Sequence, residues 1–64
     1  MDATELLTIK QVQDITTLGR SSIYAFVKNG YFPKPFYLTP RKPRWTSGQI
    51  EGWIQERIDD RDNA

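Results

Sequence analysis

The sequence predicts a mainly α chain with one short β-hairpin: three helices and two strands, folded as one domain over residues 6–58. Three observations predict it. Two Thr-x-x-Gln boxes, Thr8 to Gln11 and Thr46 to Gln49, each open a stretch with apolar residues at helical spacing. A Leu18-Gly19 break separates the first stretch from a second. All four prolines lie between positions 33 and 43, where they exclude helix and bracket two short strand-like runs.

In the first helix, about residues 9–15, Thr8 caps the N-terminus while Gln11 reaches back to the Thr8 N–H. Leu7 and Val12 flank this cap as a hydrophobic staple, and Ile9, Val12 and Ile15 lie near one stripe. Thr16 and Thr17 weaken the helix before Gly19 ends the turn. The second helix spans residues 20–29, with Gly19 or the neighbouring turn as cap and Gly30 as stop. Spacing of 100° per residue gathers Ile23, Phe26 and Val27 on the buried face. Ser21, Ala25 and Lys28 lie opposite, flanked by Ser22, Tyr24 and Asn29. A helix this short is marginal alone and has to dock on its neighbour. Two short helices joined by a glycine-containing turn make a helix-turn-helix.

Tyr31-Phe32-Pro33-Lys34-Pro35 then reads as an extended crossing segment. Phe36-Tyr37-Leu38 and Arg44-Trp45 read as two strands joined by Thr39-Pro40-Arg41-Lys42-Pro43, a hairpin with a basic, proline-stiffened tip. Pro43 is tolerable there only at a strand edge. The Pro40-x-x-Pro43 spacing superficially matches a proline-rich docking motif, but turn chemistry explains these prolines more simply. The third helix follows Thr46, with Ile50, Trp53, Ile54 and Ile58 on one stripe and Arg57 at its edge. Residues 1–5 and 59–64 are expected to be flexible termini.

A chain of 64 residues has about 3–5 kcal/mol of stability unless something reinforces its core. With no cysteine and no histidine, disulfides and Ser/His or Cys/His catalysis are excluded, and carboxylates alone make poor zinc sites. The four glycines stand apart at 19, 30, 48 and 52, so no phosphate-cradling loop exists. The carboxylates sit near the two ends, mostly on polar faces, without a partner that would equip them for acid–base work. No enzyme, cofactor, metal or small-molecule site is expected. The longest apolar run, Ile23 to Val27, is far below the roughly 20 residues of a membrane span. The acidic N-terminus lacks the regions of a signal peptide, so a cytoplasmic protein is expected.

The net charge of +1 hides a segregation. Residues 1–14 sum to −2, residues 15–50 to +6 with no acid, and residues 51–64 to −3. The central block implies an anionic partner, with nucleic acid the first candidate and an inert solvated basic surface the bland alternative. Its charges fall on two elements. On helix two, Arg20, Ser21, Ser22, Tyr24, Ala25 and Lys28 form an acid-free face suited to the major groove. The serines also start the helix in any case, Tyr24 can equally pack half inward, and Lys28 can equally be solvated surface. On the hairpin, Thr39, Arg41, Lys42 and Arg44 form the wing set, suited to a phosphate backbone or a minor groove. A charged edge that blocks sheet aggregation would need fewer cations. Trp45, Trp53, Phe32, Phe36 and Tyr37 are alternatively a stacking platform for single strands, but a core this small needs both tryptophans.

The runs Leu18-Gly19-Arg20-Ser21-Ser22-Ile23-Tyr24, Asn29-Gly30-Tyr31-Phe32-Pro33-Lys34-Pro35, Arg44-Trp45 and Ile50-Glu51-Gly52-Trp53-Ile54 together resemble the AlpA family. These are small prophage-associated DNA-binding regulators with a MerR-like winged helix-turn-helix. Some relatives act as excisionases that bend DNA during site-specific recombination. The resemblance covers about residues 6–58. It implies that Arg20, Ser21, Ser22 and Tyr24 open a recognition helix and that Arg41, Lys42 and Arg44 lie in a wing. Two positions depart from the family pattern. Gly19 replaces a frequent serine and weakens the cap, and Ala25 replaces a frequent basic residue, leaving a methyl suited to thymine.

The resulting expectation is a winged helix-turn-helix that binds double-stranded DNA sequence-specifically, as a phage-type transcriptional regulator or excisionase. Self-association on repeated sites, or an integrase as partner, is expected from the small footprint of one module. The alternative is an adaptor that docks a recombinase or polymerase through its aromatic and proline-rich segment.

Overall fold

The computed structural model describes residues 5–63; the expected flexible residues 1–4 and 64 lie outside them. In chain order the elements are β1 (Leu6–Leu7), α1 (Ile9–Thr16), α2 (Arg20–Lys28), β2 (Phe36–Tyr37), β3 (Pro43–Thr46) and α3 (Ser47–Asn63). Three helices and a small antiparallel sheet match the expected mainly α architecture, an arrangement compatible with a winged helix.

The expected two-stranded hairpin has gained a third strand. The sheet order is β1-β3-β2, with Leu6 opposite Thr46, Leu7 opposite Trp45, Phe36 opposite Arg44 and Tyr37 opposite Pro43. Ser47 N–H donates to the Glu5 carbonyl at 2.7 Å and extends the first ladder by one step. Pro43 therefore lies in the central strand, against the expectation of an edge, yet it breaks no ladder. Leu38 N–H donates to the Lys42 carbonyl at 3.1 Å, so Leu38 and Lys42 form a hydrogen-bonded pair. Bonded and non-bonded pairs alternate, which makes Tyr37–Pro43 a non-bonded pair and turns the Pro43 nitrogen away from β2. On that other flank the chain has already left β1 and begun α1, so no acceptor waits there.

The core comprises Leu7, Val12, Ile23, Phe32, Trp45 and Ile50, drawn from every helix, β1, β3 and the crossing segment. Trp45 is wholly enclosed, and its indole N–H donates to the Pro33 carbonyl at 2.8 Å, so burial leaves no polar atom unpaired. Phe32 meets Trp45 and Trp53 edge-on, with ring centroids at 6.3 and 4.8 Å. Trp53 itself is only half-buried, with its indole N–H donating to the Tyr31 carbonyl at 2.6 Å.

Local chemistry fixes the element ends. Gln11 N–H donates to Thr8 Oγ1 while Thr8 N–H donates to Gln11 Oε1, and Thr46 and Gln49 repeat the exchange at α3. Helix α2 ends in a Schellman motif with Gly30 at φ +82°. Tyr31 N–H donates to the Phe26 carbonyl at 2.8 Å, Gly30 N–H to the Val27 carbonyl at 3.2 Å, and the Phe26 and Tyr31 rings meet edge-on. Helix α1 ends differently, on Thr17 at φ 60°, a left-handed conformation that β-branched residues rarely adopt.

Ile15, expected on the buried stripe, is 49% exposed. The last turn of α1 overhangs the core and meets the outer half of α3, where Ile15, Ile54 and Ile58 line an open groove of about 300 Å³. Helix α3 continues through residues 59–63.

Candidate nucleic-acid interface

The docking of α2 follows from one residue. Ile23 is completely enclosed, with Phe26 and Val27 packed beside it, and helical geometry then turns the other side outward. Arg20, Ser21, Ser22, Ala25 and Lys28 are all exposed, and Tyr24 is half-buried. Gly19 supplies no side-chain cap, so the first-turn N–H groups of α2 stay uncapped from that position. Ser21 and Ser22 stand at this same end. Hydroxyl, amide and guanidinium donors thus converge on the start of one acid-free face.

The hairpin places its set by strand alternation. Trp45 faces the core, so Pro43 shares its side and Arg44 and Lys42 take the other. Lys42 N–H donates to the Thr39 carbonyl at 3.0 Å, closing a turn with Pro40 at its second position, where its fixed φ suits the bend. Thr39, Arg41 and Lys42 are exposed at this apex. Arg44 lies further up the strand, half-buried, with Nη1 donating to the Pro43 carbonyl at 2.7 Å. The structure therefore brings Thr39, Arg41 and Lys42 together at one tip, with Arg44 two residues beyond Lys42 on the same side of β3. Helix α1 packs against both α2 and β3 and so links the two sets.

Among the described residues, no carboxylate pairs with Arg20, Lys28, Lys34, Arg41, Lys42 or Arg44. On α3 the charges are mixed instead: Arg57 pairs with Asp60 at 3.2 Å and lies 5.3 Å above the Trp53 ring. A second open groove, about 470 Å³, runs along α3 past Gly48, Gly52, Trp53 and Tyr31. None of the α2 or wing candidate residues lines either groove. The single-strand stacking platform is not formed, because Trp45 and Phe32 are buried and only Phe36, Tyr37 and part of Trp53 reach the surface.

Sequence reasoning assigns no role to two exposed residues, Lys34 and Leu38. Lys34, counted in the basic block but not assigned a role, is exposed in the crossing segment, and its charge was the available signal. Leu38 is exposed at the apex beside Pro40, and nothing in a single sequence distinguishes it from a strand residue that packs. Among the described residues, no group of three or more His, Cys, Asp or Glu side chains is placed to hold a metal ion. No described helix is long and apolar enough to cross a membrane.

Comparison with known proteins agrees with the motifs. Residues 5–58 match the family described as prophage CP4-57 regulatory protein (AlpA). The chain is also similar to the uncharacterized protein ORF88 of Enterobacteria phage P4, with 29% identity over 52 residues, covering 81% of this chain and 59% of that protein. It thus spans about three-fifths of the length of that relative. No solved structure gives a significant match.

Proposed function

The chain belongs to the AlpA family of prophage regulatory proteins, and from that premise we propose that it binds double-stranded DNA sequence-specifically. Its role is that of a phage-type transcriptional regulator or an excisionase, two tasks that use one surface. One observation carries the reading: the six cations of residues 15–50 have no acid among them in the sequence and form no ion pair among the described residues. A surface of that kind accumulates an anionic polymer and releases its counterions on binding.

In this reading α2 enters the major groove. Arg20 and the two serines contact base edges or the nearest phosphates, and Ala25 presents its methyl group to thymine. The wing residues Thr39, Arg41 and Lys42 hold the backbone alongside, with Arg44 close behind. One module has a small footprint, so tight occupancy calls for repeated sites or for an integrase bound next to it.

The division of labour is tested on paired specific and scrambled duplexes at one salt concentration, with folding confirmed for each variant. Arg20→Ala or Ser22→Ala should remove about 1–3 kcal/mol of the difference between the two duplexes. Lys42→Ala should weaken both alike and flatten the salt slope by roughly one. Loss of selectivity from the wing variant, with only overall affinity lost from the helix variants, would reverse the assignment.

A further inference from the structure

We propose that the hairpin apex is an apolar wedge for the minor groove, in which Leu38 and Pro40 press into one base step while Arg41 and Lys42 hold the flanking phosphates. This rests on the duplex-binding reading above.

The apex combines two chemistries that neither fold stability nor simple phosphate binding requires together. Leu38 is 53% exposed and Pro40 is exposed, although both lie among the residues of the wing set, Thr39, Arg41 and Lys42. Leu38 closes the loop through its backbone alone: its N–H donates to the Lys42 carbonyl, and that bond would form with any side chain there. The leucine side chain leaves about half of its apolar surface open at the end of a hairpin. Cations alone would serve to hold phosphates. Exposed apolar side chains beside two cations fit a partner whose apolar surface lies next to rows of anions. Duplex DNA has that arrangement, with stacked bases between its phosphate strands.

The shape agrees. Only Thr39, Pro40 and Arg41 lie between the closing residues Leu38 and Lys42, and the Thr39–Lys42 hydrogen bond at 3.0 Å keeps the loop tight. A paired ribbon is wider than the roughly 6 Å minor groove, so only the tip enters, at a step that the wedge itself opens. Pro40 at the second position of the turn is held at a fixed φ, so little entropy is lost when the tip is gripped. Leucine and proline are both among the side chains that partly unstack base steps from the minor groove. Pyrimidine–purine steps open most easily and are where the wedge should sit.

The test uses the full chain and a duplex that the protein itself selects from a random-sequence pool. 2-Aminopurine replaces each adenine of that duplex in turn, because its emission rises when it unstacks. At saturating protein, emission should rise several-fold at one step and stay flat elsewhere. Leu38→Ser, which keeps the backbone bond, should lose most of that rise, and Pro40→Ala should lose part of it. Lys42→Ala should bind more weakly yet keep the rise once saturated. A saturated duplex with no rise at any position overturns the wedge and leaves duplex binding standing. A rise unchanged in the Leu38→Ser, Pro40→Ala double variant also overturns it. Failure to enrich or bind any duplex overturns the wedge and the DNA-binding reading together.

Discussion

Trp45 and Trp53 both belong to the expected core, yet their surroundings differ. Trp45 is fully enclosed and bonded to Pro33, whereas Trp53 is half-buried beneath the Arg57 guanidinium. Emptying an enclosed aromatic site costs about 3–5 kcal/mol. That equals the stability a domain of this size holds, so Trp45→Ala should be unfolded at room temperature by circular dichroism. Trp53→Ala should remain folded with a lowered melting temperature, at a cost of roughly 2 kcal/mol, because about half the surface is at stake. The difference is hard to read in the sequence. Trp53 sits on a visible helical stripe, while Trp45 stands in a short strand with no apolar periodicity to mark its inward face. Tyr24, which the sequence leaves between an outward and an inward reading, is half-buried.

At the scale of elements, the local signals were legible and the non-local ones were not. Both Thr-x-x-Gln boxes form, and Gly30 ends α2 where the left-handed backbone needs it. These depend on residues three or four positions apart. Strand β1 depends instead on pairing Leu6 and Leu7 with Thr46 and Trp45, across most of the chain, and two leucines alone carry no strand pattern. Ile15 fits the stripe of α1, but the stripe cannot show that the helix outruns the core at that point. The sequence marks Thr17 only as a residue that weakens the helix, whereas the structure makes it a left-handed cap. A β-branched residue there is strained by about 1–3 kcal/mol, while asparagine tolerates the conformation. Thr17→Asn should therefore stabilise the turn between α1 and α2 by about 1 kcal/mol and raise the melting temperature by roughly 4–8 °C. A lowered melting temperature would mean that the Thr17 hydroxyl, which donates to the Thr16 carbonyl, matters more than the strain.

Over the whole molecule, the fold class and the family were legible because caps, breakers and motif runs agree on one architecture. The candidate site was legible as a charge pattern, and the structure adds its placement: an exposed α2 face, a basic apex, and Arg44 drawn back against the Pro43 carbonyl. The mixed charges of α3 lie on a different element from both. The central claim is that this acid-free surface binds duplex DNA. Its most direct test is the affinity for duplex and single-stranded DNA at several salt concentrations. With about four to five phosphate contacts among Arg20, Lys28, Arg41, Lys42 and Arg44, log K against log salt should fall with a slope near −4, and the duplex should bind more tightly. A slope near zero, or equal affinity for single strands, would contradict it.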